Sequence, residues 1–531
     1  MLMRFMAVGQ SPPQLQITPA NGYVALSWYN GSPFLYSLQT TTNVSAPTTW
    51  TRMPFFFYSG IGNSYAATAS PQQYFRLAQL TPVFQFAIFY NLNLEIAPGA
   101  VMTIIGPVFS NGGIWAGSSV LNFNSTVTAV GMVATNASDP FATNYTGSGS
   151  PVFNIQPVSG AGALDLPGLG MNNDPAVIRS LLNLPPPGTD PYSSTGQMYF
   201  INQTDLIVSN SPSGVISAYF QDSNNVTPLV RIPYDSQVVL LTTETNYTTD
   251  YQTNVTFFPK PPPPHYVTNI VTVTATNITT TGTTNYVYSF ATNTTFYDYR
   301  EGKTVQAIQL DVGALNTWLG GAGYTYNTQL YYDTGHYIDS VYVYNNAPSS
   351  STSLPSVRMA DGAVLPIQGL TVVTPDPLYV FGNYNASGQS LNNGTNVVNT
   401  VPAALMGDSI TALSTNWNDS YTASTALSAR TPGATTINAA VIAGIVPTFG
   451  ANYSGGAENF IRLLENWSSS VPLTYNGSFV VMFPSQYATN HWLPTGAYYT
   501  APKRNYAFDS NFTDPGKLPP LTPFVENFIS P

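Results

Sequence analysis

The chain has 531 residues, of which only 7% are charged, and its net charge of −10 rests on 14 Lys and Arg against 24 Asp and Glu. So few basic residues exclude a basic patch for nucleic acid, and the lack of cysteine excludes disulfides, thiol catalysis and zinc–thiolate sites. The hydrophobic fraction of 43% suffices for folded cores. Because few carboxylates change charge as the pH falls, the composition suits an acidic habitat.

Residues 1–80 are predicted to form a separate β module. Short apolar runs parted by Asn-Gly, Gly-Ser and Ser-Pro turns predict strands at 15–17, 24–28, 36–38, 55–57 and 74–76. The phrases VALSW, YSLQTTTNVSAPTTWT and QQYFRLAQL resemble the fibronectin-III-like modules common in secreted proteins of verrucomicrobial type. The resemblance implies a β-sandwich, with Trp28 as the buried aromatic of an early strand.

Residues 81–145 are predicted to be a first β-solenoid block. Turn residues such as Pro98-Gly99 and Gly106-Pro107 interrupt short apolar runs. These runs fall at 94–96, 102–105, 108, 114, 121–123 and 127. Such short and regular spacing favours a coil of strands, a β-helix, over a sandwich.

Residues 146–360 are predicted to be an irregular insertion, rich in Thr, Asn, Tyr and Pro, with hairpins. Val271, Val273 and Ala275 alternate with threonines, the two-residue period of a strand. Residues 361–531 return to short strands at 370–372 and 378–380, which predicts a second β-solenoid block followed by an irregular C-terminal tail of fifteen residues.

Helical signals are few, so the expected fold class is mainly β, a β-solenoid body with an N-terminal β-sandwich module and few short helices. Asp174 and Pro175 supply an N-cap and a first-turn proline for a helix over 176–182. Apolar residues at helical spacing predict two more helices, at 304–319 and 457–467.

One motif points to catalysis. Gly407-Asp408-Ser409-Ile410-Thr411 matches the first block of SGNH hydrolases, in which Ser409 would be the nucleophile. The mechanism also needs a histidine base oriented by an aspartate. The family's Asp-x-x-His would end at His491, but Ala488 occupies the aspartate position. We therefore interpret the block as a decoy and predict a non-enzymatic protein.

No metal or cofactor is predicted. The three histidines, His265, His336 and His491, are scattered, and the segment DTGHYID around His336 is interpreted as an exposed turn. Carboxylates for glycoside cleavage stay an alternative, because solenoid enzymes draw them from different coils. The candidates for that role are Glu95, Asp376 and Glu465.

Tyrosines are the stronger candidates for a binding site. Flat tyrosine arrays stack on the apolar C–H faces of sugars. A cluster in a Gly-, Asn- and Thr-rich context consists of Tyr324, Tyr326, Tyr331, Tyr332, Tyr342 and Tyr344. The alternative is that these residues form a strand core or pair across a hairpin.

Several phrases, in the expected order, resemble large PilX-like surface proteins associated with type IV pili. They include FQFAIFYNLNLEIAPGAVMTIIGPVFSNGGIWAGS, FYDYREGKTVQAIQLDVGALN, GLTVVTPDPLYVFGNYN and YTAPKRNYAFDSNF, and they cover residues 82–145 and 296–525. The resemblance implies an exported, solenoid-like protein held at the cell surface or at a pilus, and it offers no established catalytic residues to carry over to this chain. The chain begins with a fibronectin-like module instead of a prepilin leader and an apolar helix, which argues against incorporation into the pilus itself.

Together these observations predict a non-enzymatic, extracellular, surface-associated structural or adhesive protein linked to pili. A secreted polysaccharide-binding or polysaccharide-degrading β-helix protein is the alternative. The expected partners are surface glycans, pilus components and further copies of the chain, with no nucleic acid. The chain shows no membrane-spanning segment or export signal, so we expect that a leader was removed, that the printed start is misplaced or that the chain is cytoplasmic, and we favour the first two.

Overall fold

The computed structural model describes residues 15–20, 23–30, 35–44, 51–57, 60–68, 72–135, 149–166, 173–193, 195–221, 229–258, 265–321, 323–386, 391–392, 396–397, 400–468, 470–494 and 496–528. The chain divides into two compact units, one of which is the segment Pro233–Ser289. Both consist mainly of strands, which confirms the predicted class. Among the described residues no helix is long and apolar enough to cross a membrane.

The N-terminal module consists of two antiparallel sheets. Its strands are β1 Gln16–Ala20, β2 Tyr23–Asn30, β3 Leu35–Thr41, β4 Thr51–Phe57, β5 Gly60–Thr68 and β6 Tyr74–Pro82. One sheet has the order β1-β2-β5, and in the other β3 lies between β4 and β6. Leu26 of the first sheet packs against Tyr36, Leu38 and Leu77 of the second, which gives the predicted sandwich. The side chain of Trp28 lies outside the described residues.

A coil of short parallel strands follows the module. The strands are β7 Ile88–Tyr90, β8 Leu94–Ile96, β9 Met102–Ile104, β10 Val108–Ser110, β11 Ile114–Ala116, β12 Leu121–Phe123, β13 Val127–Ala129, β14 Val133–Thr135 and β15 Val152–Phe153. They pair as β7-β10-β13, β8-β11-β14 and β9-β12-β15, so every third strand lies on the same face. Phe109 stacks on Phe89 of the preceding coil, with ring centroids 5.8 Å apart. The predicted β-helix-like body is confirmed here, with strands where the apolar runs placed them.

Residues between 146 and 360 form further strands and helices. These elements are α1 Pro175–Ser180, β16 Leu206–Asn210, β17 Ile216–Gln221, β18 Leu229–Arg231, β19 Ser236–Phe258, β20 His265–Val287, β21 Ala291–Asp298, β22 Lys303–Asp311, α2 Val312–Gly320, α3 Tyr324–Thr334, β23 Ser340–Tyr344 and β24 Ser353–Ala360. Helix α1 begins as predicted, with Asp174 accepting a hydrogen bond from the backbone N–H of Ala176. The helix predicted over 304–319 is wrong in its first half, because β22 is paired on both sides, by β21 and β24.

The unit Pro233–Ser289 is a long hairpin. Strands β19 and β20 pair without interruption from Ser236 opposite Val287 to Phe258 opposite His265. At its base the Asp235 carboxylate accepts hydrogen bonds from the backbone N–H and the hydroxyl of Ser289, at 2.7 and 2.6 Å. The alternation of Val and Thr thus predicted the pairing correctly. The side chains of residues 240–283 lie outside the described set.

The C-terminal part adds further coils. Its strands are β25 Leu370–Val373, β26 Leu378–Phe381, β27 Leu391–Asn392, β28 Asn396–Val397, β29 Ala403–Gly407, β30 Ile410–Leu413, β31 Thr435–Asn438, β32 Ala440–Ala443, β33 Arg462–Leu463, β34 Pro472–Gly477, β35 Phe479–Val481, β36 Lys503–Phe508 and β37 Phe524–Phe528. Short 3-10 helices lie at Val83–Gln85, Gly196–Met198, Phe200–Asn202, Leu427–Ala429, Ala457–Asn459, Ser510–Thr513 and Pro515–Lys517. The helix predicted at 457–467 is wrong, because a 3-10 turn leads directly into β33, which pairs with β30.

A single eleven-stranded sheet joins the two solenoid blocks. Its order is β13-β10-β7-β35-β32-β29-β25-β23-β16-β17-β18, with β35 pairing in parallel with β7. The neighbouring six-stranded sheet has the order β21-β22-β24-β26-β30-β33, and β31-β34-β36 form a third sheet. Coils early in the chain are therefore stacked on the last coils of the C-terminal part.

The C-terminal strand closes the N-terminal module. Strand β37 pairs antiparallel with β6, and the buried carboxylate of Glu526 accepts hydrogen bonds from the side chains of Ser37 and Gln39. The prediction of an irregular tail over the last fifteen residues is wrong, because β6 offers this segment a free sheet edge.

Candidate functional site

Four of the six predicted tyrosines lie on helix α3, and the other two, Tyr342 and Tyr344, lie on β23. Gly323 precedes the helix at a point where a Cβ would lie 2.5 Å from the Trp318 ring, so only glycine fits. Gly335 ends the helix in the left-handed conformation, with φ of 83°. Asn327 of the helix then accepts a hydrogen bond from the backbone N–H of Ile338, which fixes the turn against α3.

Three of the six predicted tyrosines present rings to solvent on α3. Tyr324, Tyr331 and Tyr332 are 58%, 44% and 79% exposed. The ring of Tyr331 stacks on that of Tyr337, with centroids 4.6 Å apart and planes 18° from parallel. Tyr332 meets Tyr331 edge to face at 6.2 Å. We call Tyr324, Tyr331, Tyr332 and Tyr337 the tyrosine patch.

The other three predicted tyrosines are not in this patch. Tyr326 is half-buried and stacks on Trp318, with ring centroids 6.1 Å apart. Tyr342 is fully buried on β23, where its hydroxyl donates to the Leu182 carbonyl at 2.6 Å. Tyr344 is half-buried at the end of the same strand, 6.0 Å from the Tyr342 ring. The six predicted tyrosines therefore divide into an exposed group on α3 and a buried or half-buried group, and they do not form one surface.

An aspartate from a distant part of the sequence lies next to the patch. Strands β16 and β23 are parallel neighbours with Leu206 opposite Val341, so the preceding residues, Asp205 and Ser340, lie side by side. The Ser340 hydroxyl donates to Asp205 Oδ2 at 2.8 Å, and the backbone N–H of Asp339 donates to the same oxygen at 3.0 Å. No spacing in the sequence could indicate this contact, because it depends on strand register alone.

The two aspartates form a coupled acidic pair. Burial, the nearby charge of Asp205 and a hydrogen bond between the two carboxyl groups raise the pKa of Asp339 to about 7. Burial likewise raises the pKa of Asp205. Two carboxylates this close do not both ionise readily, so the pair holds a shared proton near neutral pH. The pair can therefore act as a proton donor or exchange its proton for a cation.

His336 completes a set of three metal-ligating groups. One ligand atom each from Asp205, His336 and Asp339 lies within 4.8 Å of the others. His336 Nδ1 is 2.8 Å from the Tyr337 carbonyl oxygen and 3.9 Å from Asp339 Oδ2. Two carboxylates and one imidazole suit a divalent transition ion whose remaining positions are filled by water. His336 and Asp339 belong to the segment DTGHYID, which was interpreted as an exposed turn, and nothing in the sequence indicates that Asp205 joins them.

The SGNH-like block lies in the core. Ser409 is 1% exposed, and its hydroxyl has no hydrogen-bond partner among the described residues. Asp408 is ion-paired with Arg179 at 3.1 Å, whereas His491 is exposed. No described base therefore contacts the serine hydroxyl, and the side chain is not exposed to solvent.

The three carboxylates considered for glycoside cleavage are buried with separate partners. Glu95 accepts hydrogen bonds from the hydroxyls of Thr448 and Ser454. Asp376 accepts from the backbone N–H of Asn345 at 2.9 Å. Glu465 accepts from the backbone N–H and the hydroxyl of Ser414, both at 2.7 Å. They share none of these partners, and each serves to hold a turn between strands.

Comparisons with family models, with curated proteins and with solved structures find no match for this chain.

Proposed function

We propose that this chain is a non-enzymatic, extracellular, surface-associated structural and adhesive protein that binds glycans through its tyrosine patch. The observation that carries the proposal is the exposure of Tyr324, Tyr331 and Tyr332 on a single helix. Exposed tyrosine rings present flat apolar faces with a polar edge, which suits the C–H faces and hydroxyls of sugars. The neighbouring Asp333 and Gln329, hydrogen-bonded at 3.1 Å, supply further polar groups.

The surface-associated part of the proposal rests on composition and on resemblance. A surface with few charges and many Thr, Asn and Tyr residues is typical of extracellular proteins, and the PilX-like phrases favour attachment at the envelope or at a pilus. The parallel coils supply a rigid support for a binding helix.

A second candidate is a polysaccharide-degrading enzyme that uses the acidic pair. The observation that favours it is the pKa of Asp339, which is raised to about 7 in a half-buried position beside the patch. A carboxyl group of this kind can serve as the general acid in glycoside cleavage. Its partner would be Asp205.

The binding test measures retention on immobilised polysaccharides and the affinity for those that retain the chain. Tyr332→Ala and Tyr331→Ala are each expected to weaken binding by about fivefold, a loss of about 1 kcal/mol. Tyr192→Ala is the matched control, because Tyr192 is 48% exposed but lies outside the patch. Equal losses in all three variants, or no retention of the unmodified chain, would contradict the proposal.

Two further measurements separate the alternatives. The first measurement is the release of reducing ends from polysaccharides by the chain. If this release occurs and Asp339→Asn abolishes it, the enzymatic function replaces the adhesive one. Immunogold labelling of intact cells tests the location: label on filaments or on the envelope supports the surface-associated part, and protein found only in the medium contradicts it.

A further inference from the structure

The long hairpin Pro233–Ser289 is a ribbon of only two strands. Its strands β19 and β20 are each 23 residues long and pair with each other alone within the described part of the chain. At about 3.3 Å per residue the ribbon is roughly 75 Å long. In an antiparallel pair about half of the backbone N–H and C=O groups point away from the partner strand. Each outer edge of the ribbon is therefore a template for a further strand.

The composition of β20 favours a larger sheet than this ribbon. Of its 23 residues, 15 are Val, Ile or Thr, the β-branched residues that are enriched in strands. A sheet of two strands is only marginally stable in water, and independent stability needs three or more strands or packing against a helix. Further strands along the outer edge of β20 would therefore stabilise the ribbon, and no described strand of the same chain takes that position.

Strand β20 lacks the features that usually prevent an edge strand from pairing with another molecule. Native proteins protect such edges with charged residues, with proline or by keeping the edge strand short. The outer strands of the eleven-stranded sheet, β13 and β18, have three residues each, and β21 at the edge of the six-stranded sheet carries Asp298. By contrast, β20 is long and contains no Asp, Glu, Lys, Arg or Pro. Its outer edge is therefore suited to pairing with a further strand.

The charges of the hairpin distinguish its two edges. Strand β19 carries Glu244 and Asp250, which lie three residues to either side of its midpoint, Tyr247. If two copies of β19 paired antiparallel about this midpoint, Glu244 of one copy would lie opposite Asp250 of the other. Like charges directly opposite each other destabilise an antiparallel pair. Two copies of β20 meet no such repulsion, so the charge pattern favours β20 as the edge that pairs with its own copy.

We propose that two copies of the chain associate by antiparallel pairing of their β20 strands into a four-stranded sheet with the order β19-β20-β20-β19. A second copy supplies an edge of equal length that has neither charge nor proline, and antiparallel pairing of identical edges gives a closed dimer with two-fold symmetry. Full-length pairing places Thr276, the midpoint of β20, opposite Thr276 of the second copy. The contact does not use the tyrosine patch, so it is independent of the proposed function.

The first test measures the mass of the full chain in solution by analytical ultracentrifugation over a range of concentrations, and a dimer is expected. Thr276→Lys places two like charges opposite each other at the two-fold axis and is expected to raise the dissociation constant by about fivefold or more. Thr249→Lys is the matched control on β19, two residues from the position opposite Thr276, and is expected to change nothing. A monomer at every concentration, or a dimer that Thr276→Lys does not weaken more than Thr249→Lys, overturns the proposal.

The second test uses disulfide cross-linking, because the chain contains no cysteine of its own. Thr276→Cys is expected to form a disulfide between two copies under mild oxidation, since residues opposite each other in an antiparallel pair have Cα atoms about 4.5–5.5 Å apart. Thr249→Cys is the control, because the two β19 strands of the proposed sheet lie three strand spacings, about 14 Å, apart. Equal cross-linking in the two variants, or none in Thr276→Cys, overturns the proposal.

Discussion

The guanidinium of Arg179 and the carboxylate of Asp408 form an ion pair at 3.1 Å in which the side chains are 1% and 0% exposed. Asp408 also accepts the backbone N–H groups of Gln486, Tyr487 and Ala488, at 2.7, 3.0 and 3.1 Å. Arg179 belongs to α1, and Asp408 follows β29. The Asp408 carboxylate therefore links helix α1 to the loop that contains residues 486–488.

Replacement of Arg179 by alanine is predicted to lower the free energy of unfolding by about 3–5 kcal/mol, because it leaves a buried carboxylate without its cation. Urea unfolding of the variant measures the loss. Lys503→Ala, at an exposed position, is the control and is expected to change stability by less than about 0.5 kcal/mol. Similar stability in the two variants would show that the ion pair contributes nothing.

The sequence predicted local strands well, because a strand that faces the core of a narrow coil leaves a short apolar run. The runs at 94–96, 114 and 121–123 lie in β8, β11 and β12. The sequence could not predict the stacking order. The contact between β35 and β7 joins residues that are far apart in the chain, and nothing in either strand specifies its neighbour.

The candidate site was predictable only in part, for the same reason. The tyrosines were visible in the sequence, but α3 was not, since its Tyr-, Thr- and Asn-rich composition does not favour a helix. Asp205 reaches His336 and Asp339 only through the register of β16 and β23. In the same way, Ser409 is buried by the surrounding sheets, which the five-residue motif could not indicate.

Ser409→Ala is predicted to change the free energy of unfolding by less than about 1 kcal/mol, because the buried hydroxyl makes no hydrogen bond within the described part of the chain. Any esterase activity of the chain should also be unaffected. Ser414→Ala is the matched control: the Ser414 hydroxyl donates to Glu465 at 2.7 Å and accepts the N–H of Gly433 at 2.9 Å. Its loss is expected to cost about 2 kcal/mol or more. Loss of esterase activity in Ser409→Ala would restore the hydrolase interpretation.

Asparagines that join successive coils are predicted to stabilise the stack. Asn438 donates from Nδ2 to the Asn385 carbonyl at 2.9 Å, and its Oδ1 accepts Asn476 Nδ2 at 2.6 Å. Asn438→Ala leaves these buried groups unpaired and should cost about 2–3 kcal/mol in chemical unfolding. Asn154→Ala removes an exposed contact of the same kind, to Asn124 at 2.8 Å, and should cost under about 1 kcal/mol. Equal losses of stability in Asn438→Ala and Asn154→Ala would mean that burial does not strengthen these asparagine hydrogen bonds.

Divalent transition ions are predicted to stabilise the chain through Asp205, His336 and Asp339. A bound ion replaces the shared proton of the acidic pair and raises the melting temperature by mass action. Zn²⁺ at slightly alkaline pH should therefore raise the melting temperature, and His336→Ala should remove the effect. His491→Ala is the control, because His491 is also exposed but lies outside the cluster. An effect of equal size in both variants would place the ion elsewhere.

The stability of the chain is predicted to increase as the pH falls from neutral towards 5. Burial is the largest cause that raises the pKa of Asp376, Glu458 and Glu465 to about 7, as it does for Asp339. In the unfolded chain these groups titrate near their ordinary values, so between about pH 4 and pH 7 the folded state binds more protons than the unfolded state. The protonated forms of these groups contribute their full stabilisation below about pH 4. This stabilisation is lost as the pH rises from about 4 through 7.

Each group contributes a slope of at most about 1.4 kcal/mol per pH unit across that interval. Urea unfolding at a series of pH values measures the combined slope, and Glu465→Gln should reduce it because one titrating group is removed. This behaviour is the opposite of acid denaturation by protonation of paired carboxylates, and it agrees with the acidic habitat that the low charge content suggests. A stability that falls steadily from pH 7 to pH 4 would contradict both the direction of these pKa shifts and the inference about habitat.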